Sequence, residues 1–163
     1  MNAYETLCEI YDRGQARIDS MVPVTMSIED RGSLRPLVRT LTENVATYVL
    51  NYTAQVLNGG HQQWVDNDYL VDDHESLLLV LRMINGPCCK KVIKNVEAVL
   101  KYCGEDLCMP YDECDPEEDD LSDPFGPLDT SFYKYDKEFC EEVLTWVRTQ
   151  DLETAKVMVK LME

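Results

Sequence analysis

The sequence predicts an all-α protein. Apolar residues recur at i, i+3 and i+4 through most of the chain, and no alternating polar–apolar series marks a sheet. Gly, Asn-Gly and Pro punctuate the ends of those periodic stretches, dividing them into six to seven helices. A length of 163 residues with 45% hydrophobic content suits one helical domain over 1–163 with an ordinary core.

The first helix is expected over 3–20, with Tyr4, Leu7, Cys8, Tyr11 and Ile18 near one stripe. After a looser 21–33, Ser33 is placed to cap a long helix over 34–57. Its apolar face reads Leu34, Leu37, Val38, Leu41, Val45, Tyr48, Val49, Tyr52 and Val56. Pro36 falls in its first turn, where a missing N–H costs little. Asn58-Gly59-Gly60 tolerates positive φ and ends it. A short helix over 61–66 follows. The next, 73–84, contains LLLVLRMI and is apolar nearly all round, so it is expected to lie centrally. Asn85-Gly86 stops it. Pro87 opens a fifth helix that runs to about 103, with Val92, Ile93, Val96, Val99, Leu100 and Cys103 inward and Lys90, Lys91, Lys94 and Lys101 outward. Residues 104–127 hold ten carboxylates, four prolines and no base, which predicts a long acidic loop before the C-terminal helices. Those helices are expected over 130–150 and 152–162.

Charge is the unusual feature: 31 acids against 15 bases give −16. Asp66, Asp68, Asp72, Asp73 and Glu75 form one block. Eleven carboxylates between Lys101 and Lys134 form another, and the two account for the whole net charge. A solubility device need not be concentrated in this way. Such blocks repel nucleic acid and anionic membrane, and attract the basic surfaces that grip DNA phosphate. The expected partner-binding carboxylates are those five with Glu105, Asp106, Asp112, Glu113, Asp115, Glu117, Glu118, Asp119, Asp120 and Asp123, acting as acceptors for Arg and Lys. The expected partner is a basic protein, with no direct nucleic-acid or membrane binding.

Other chemistries fit less well. An EF-hand loop needs Gly at its sixth position and Glu at its twelfth. A register from Asp112 puts Glu117 sixth, and one from Asp115 puts Asp120 sixth and Gly126 twelfth. Cys103, Cys108 and Cys114 lack the second ligand pair of a zinc site, and Cys8, Cys103 and Cys140 read as small buried hydrophobes. A cysteine beside His61 or His74 would be needed for thiol catalysis, and no nucleotide, serine-hydrolase or zinc-protease motif is present. The expectation is no enzyme, no cofactor and no metal. Seven cysteines, an N-terminal MNAYETLCEIYDRG without a signal-peptide pattern, and no apolar run near the roughly 18 residues of a membrane span predict a cytoplasmic protein with reduced thiols.

Two stretches carry a resemblance. Val56-Leu57-Asn58-Gly59-Gly60-His61-Gln62-Gln63-Trp64-Val65-Asp66-Asn67 resembles the NGGF-x-Q-(Y/F)-F-x-N core of the DNA-mimic-protein family, with His61 where that pattern has Phe. Leu128-Asp129-Thr130-Ser131-Phe132-Tyr133-Lys134-Tyr135-Asp136, followed by an amphipathic helix, resembles its LD-x-x-F/Y-Y-x-L stretch before the closing helices. The resemblance covers roughly 34–150. It implies an all-helical, often dimeric protein without enzymatic activity, whose carboxylates imitate DNA phosphate toward a repressor, nuclease or other DNA-binding protein. Toxin immunity or anti-defence inhibition is the alternative it leaves open, and a small thiol- or metal-dependent enzyme is a second. Within the first stretch, Asn58, Gly59 and Gly60 are expected to turn the chain, Trp64 to enter the core, and Gln62 or Asn67 to tie down freed backbone groups. His61 reads as a turn residue.

Overall fold

The structure, a computed structural model, describes residues 2–21, 25–27, 34–109 and 123–162, with 155–162 as helix backbone only. All regular structure among them is helical. The helices are α1 (Ala3–Met21), α2 (Leu41–Asp66), α3 (Tyr69–Ile84), α4 (Pro87–Cys103), α5 (Gly126–Phe132) and α6 (Asp136–Met162), with a helical turn at 34–38 and a 3-10 turn at Gly104–Asp106. The all-α expectation holds. No helix among the described residues is long and apolar enough to cross a membrane.

Several boundaries differ from the expected ones for local reasons. The long helix begins at Leu41, not after Ser33, which lies outside the described residues. Thr40 and Glu43 form a capping box: Glu43 N donates to Thr40 Oγ1 at 3.3 Å and Thr40 N to Glu43 Oε2 at 2.8 Å. These bonds satisfy N–H groups that an uninterrupted helix would bond to the preceding turn. Leu37 and Leu41 are therefore exposed, at 79% and 52%, rather than on the core face. Helix α3 starts four residues early, after Asp68 takes a left-handed conformation (φ 61) and its carbonyl accepts Asp72 N at 3.1 Å. It is also not buried all round. Leu77, Leu78, Val80 and Leu81 are buried while Val71, Leu79 and Met83 are exposed. Asn85, at φ 57, stops it as expected. At the C-terminal end α5 closes after Phe132, and α6 runs unbroken through 150–152, where no Gly or Pro interrupts it.

The chain divides into two compact units, Met1–Leu50 with Lys137–Glu163, and Asn51–Asp136. The core of the first comes from Leu7, Ile10 and Ile18 of α1, Val45, Ala46 and Val49 of α2, and Phe139, Val143, Leu144 and Val147 of α6. The buried stripe of α1 is Ala3, Leu7, Ile10, Gly14 and Ile18, so Tyr4, Cys8 and Tyr11 lie at its margin rather than on it. Glu43 packs so closely on Gly14 that a Cβ there would stand 3.1 Å from it. Its carboxylate takes a two-point bond from Arg17, both distances 3.0 Å. The second unit holds α3 and α4 as an antiparallel pair joined at Asn85-Gly86, with the rest of α2 and α5. Tyr52, Trp64, Leu70, Leu77, Leu81, Val96, Phe125 and Phe132 fill its core.

Candidate functional site

The two motif stretches meet inside the second unit. Helix α2 breaks at Gly59 (φ −150, ψ 25) and Gly60 (φ 74, ψ −177), then resumes to Asp66. The Gly60 conformation is one that essentially only glycine adopts. The carboxylate of Asp129 also occupies the space where a Gly60 Cβ would stand. Asp129 Oδ1 accepts His61 N at 2.9 Å and is bonded to His61 Nδ1 as well. Tyr52 Oη lies 2.8 Å from His61 Nε2. A carboxylate only accepts, so Nδ1 carries a proton, and in the neutral imidazole Nε2 accepts from the tyrosine hydroxyl. Burial above all, then the charges of Tyr135 and Asp129, push the Tyr52 phenol well above its usual range against an opposing bond from Asn95, so it stays a donor. Asn95 Nδ2 in turn donates to Tyr135 Oη at 3.1 Å. Burial raises the Tyr135 phenol to about 12.

His61 is thus a core residue and not a turn residue. The reason is long-range: the carboxylate that satisfies it comes 68 positions later. Asp129, His61 and Tyr52 have the acid–imidazole–hydroxyl order of a hydrolase triad. However, Tyr52 and His61 have no exposure, and Tyr52 is walled by the edges of Trp64 and Phe132, each ring 5.3 Å away. This arrangement suits a packing bond between α2 and α5. Tyr133 adds to it by donating to Val56 O at 3.0 Å.

The remaining motif residues tie the bend externally. Asn58 Nδ2 donates to Gln63 Oε1 at 3.2 Å, Gln63 Nε2 to Gln55 Oε1 at 2.9 Å, and Asn67 Nδ2 to the same oxygen at 2.8 Å. These are side-chain ties, not the backbone ties expected. Among the described residues Gln62 takes no part in them, and Gln63 replaces it. Trp64 is fully buried, as expected.

The described carboxylates divide by role. Asp66, Asp68, Asp72 and Glu75 are exposed along the end of α2 and the start of α3, and Glu105 and Asp106 are exposed in the turn after α4. Asp66 is near enough to Cys103, at the end of α4, to help hold its thiol above the usual range, after burial and Cys108. This end of the first charge block therefore lies near the end of α4, after which the second block begins. Asp73 is half-buried and accepts Asn51 Nδ2 at 2.6 Å. Asp123 Oδ1 accepts Phe125 N at 2.9 Å, giving it a turn-forming role before α5. Asp112, Glu113, Asp115, Glu117, Glu118, Asp119 and Asp120 lie outside the described residues.

A family model described as DMP19-like protein matches residues 40–150, about two-thirds of the chain. The chain belongs to the DMP19-like family. The DMP19-like span opens at the capping residue Thr40 and takes in the Gly60–Asp129 contact, the acidic row and all of α3, α4 and α5. No curated protein and no solved structure matches the chain. Within the DMP19-like span Cys88, Cys89, Cys103 and Cys140 are buried, whereas Cys108 is exposed; Cys8, before the span, is half-buried. Among the described residues no three His, Cys, Asp or Glu side chains gather as a metal site, and Cys114 lies outside them. His74 Nδ1 is bonded to Leu70 O, within its own helix.

Proposed function

We propose that this DMP19-like protein is a non-enzymatic DNA mimic whose acidic surface occupies the DNA-binding face of a basic partner protein. The observation that carries the reading is the exposed row Asp68, Asp72 and Glu75. Asp72 and Glu75, three residues apart, share one face of α3, and Asp68 stands at its N-cap in a left-handed conformation. At 1.5 Å of rise per residue the step from Asp72 to Glu75 is about 4.5 Å. Duplex phosphates recur at about 3.4 Å of axis per strand, so this step falls between one and two phosphate steps. No Lys or Arg occurs between Arg39 and Arg82 to neutralise it. Asp66, Glu105 and Asp106 extend the charge beside it. Partner arginines and lysines meet such carboxylates through charge-assisted bonds, and encounter is steered by the field.

The test is capture from a native lysate on immobilised protein, eluted in parallel by salt and by duplex DNA. Release of a DNA-binding protein by duplex supports mimicry. Capture of a nuclease or toxin that duplex fails to release supports direct inhibition instead, and no salt-sensitive capture contradicts both.

A further inference from the structure

The acidic surface carries exposed aromatic rings as well as charge. Tyr102 and Tyr133 are each 47% exposed. Neither ring is loose. Tyr102 packs its edge on buried Phe125 at 5.2 Å, and Tyr133 is anchored by its hydroxyl on Val56 O. Asp123 sits two residues before Phe125 and bonds its N–H. Asp123 also lies near Tyr133, whose phenol is raised by burial, by Asp129 and by Asp123. Glu105 and Asp106, both exposed, follow Tyr102 within four residues. Lys101 and Lys134 adjoin the two rings in sequence and are exposed too, so the surface is mixed at its edge.

A held, exposed ring on an acidic surface suits one side chain in particular. A guanidinium stacks flat on tyrosine while bonding a carboxylate through its edge, and an ammonium has no flat face to stack. A ring already fixed in place gives up little conformational freedom when it is covered. We propose that Tyr102 and Tyr133, framed by Asp123, Glu105 and Asp106, make this surface selective for arginine over lysine on its basic partner. The proposal rests on the reading of the acidic surface as a partner site, and Tyr102 is its most testable element because among the described residues its hydroxyl makes no hydrogen bond.

The experiment uses labelled deca-arginine and deca-lysine peptides, titrated at low salt with the full chain and followed by fluorescence anisotropy. Wild type binds deca-arginine more tightly. Tyr102→Leu lowers deca-arginine affinity by about two- to fivefold, the worth of one exposed cation–ring contact, and lowers deca-lysine affinity less. Tyr102→Phe keeps the preference. Equal affinities in wild type, or an equal loss for both peptides in Tyr102→Leu, overturns arginine selectivity while leaving the acidic-site reading intact. No binding of either peptide overturns the acidic-site reading itself.

Discussion

Replacing Gly60 by alanine tests whether the Asp129 carboxylate is what fixes the bend in α2. Two costs are expected. The backbone at φ 74, ψ −177 excludes a side chain at about 1–3 kcal/mol. The new Cβ also displaces the Asp129 carboxylate, stranding the buried N–H groups of His61 at about 1–3 kcal/mol more. Gly60→Ala should therefore lose about 4 kcal/mol, a large share of the roughly 5–15 kcal/mol that holds a domain together. Asp129→Ala should lose about 2 kcal/mol through the same stranded groups. In the double variant that second cost is incurred only once. Its loss should be about 4 kcal/mol, some 2 kcal/mol short of the sum. Urea unfolding followed by far-UV circular dichroism and by tryptophan fluorescence measures all four proteins. Additive losses would refute the reasoning, because Gly60 and Asp129 would then not share one space.

Three further outcomes follow. His61→Phe should destabilise by about 1–3 kcal/mol by removing the acceptor of the Tyr52 hydroxyl, and Tyr52→Phe in the same chain should recover part of that loss in urea melts. Burial works against the charge of Glu43, but bonds from Arg17 and Thr40 overcome it and hold the carboxyl below its usual 4.5. A depressed folded pKa adds stability above the unfolded value that is lost as pH falls through the folded one. Glu43→Gln should thus cost about 0.5–2 kcal/mol near neutrality and flatten the acid limb of a stability–pH curve below 4.5. Asp68→Asn, Asp72→Asn and Glu75→Gln together should change stability by only about 1 kcal/mol, chiefly through Asp72 in the first turn of α3, while weakening capture of a basic partner.

The helices were legible because their signals are local. Asn85 and Pro87 stop and start α3 and α4 where the residue types demand it, and the lysines of α4 face outward as the period requires. The start of α2 was misread because apolar Leu34, Leu37 and Leu41 continue the period across a break made by two polar side chains, Thr40 and Glu43. The His61–Asp129 contact was missed for a different reason. His61 and Asp129 each belong to a stretch recognisable as a motif, but neither stretch says that the other supplies its partner. The acidic blocks were visible by composition alone. Their division into exposed Asp68, Asp72 and Glu75 on one hand and structurally engaged Asp73 and Asp123 on the other depends on Asn51 and Phe125, which composition does not connect to them.

The acidic row as a substitute for DNA is tested most directly by competition. A labelled duplex bound to the captured partner is titrated with wild-type protein and with the Asp68, Asp72, Glu75 triple-amide variant, and duplex release is read by anisotropy. Wild type should displace the duplex completely, with the triple variant requiring a higher concentration and added salt weakening both. A ternary complex that retains the duplex, or equal displacement by the triple variant, would contradict mimicry by this row.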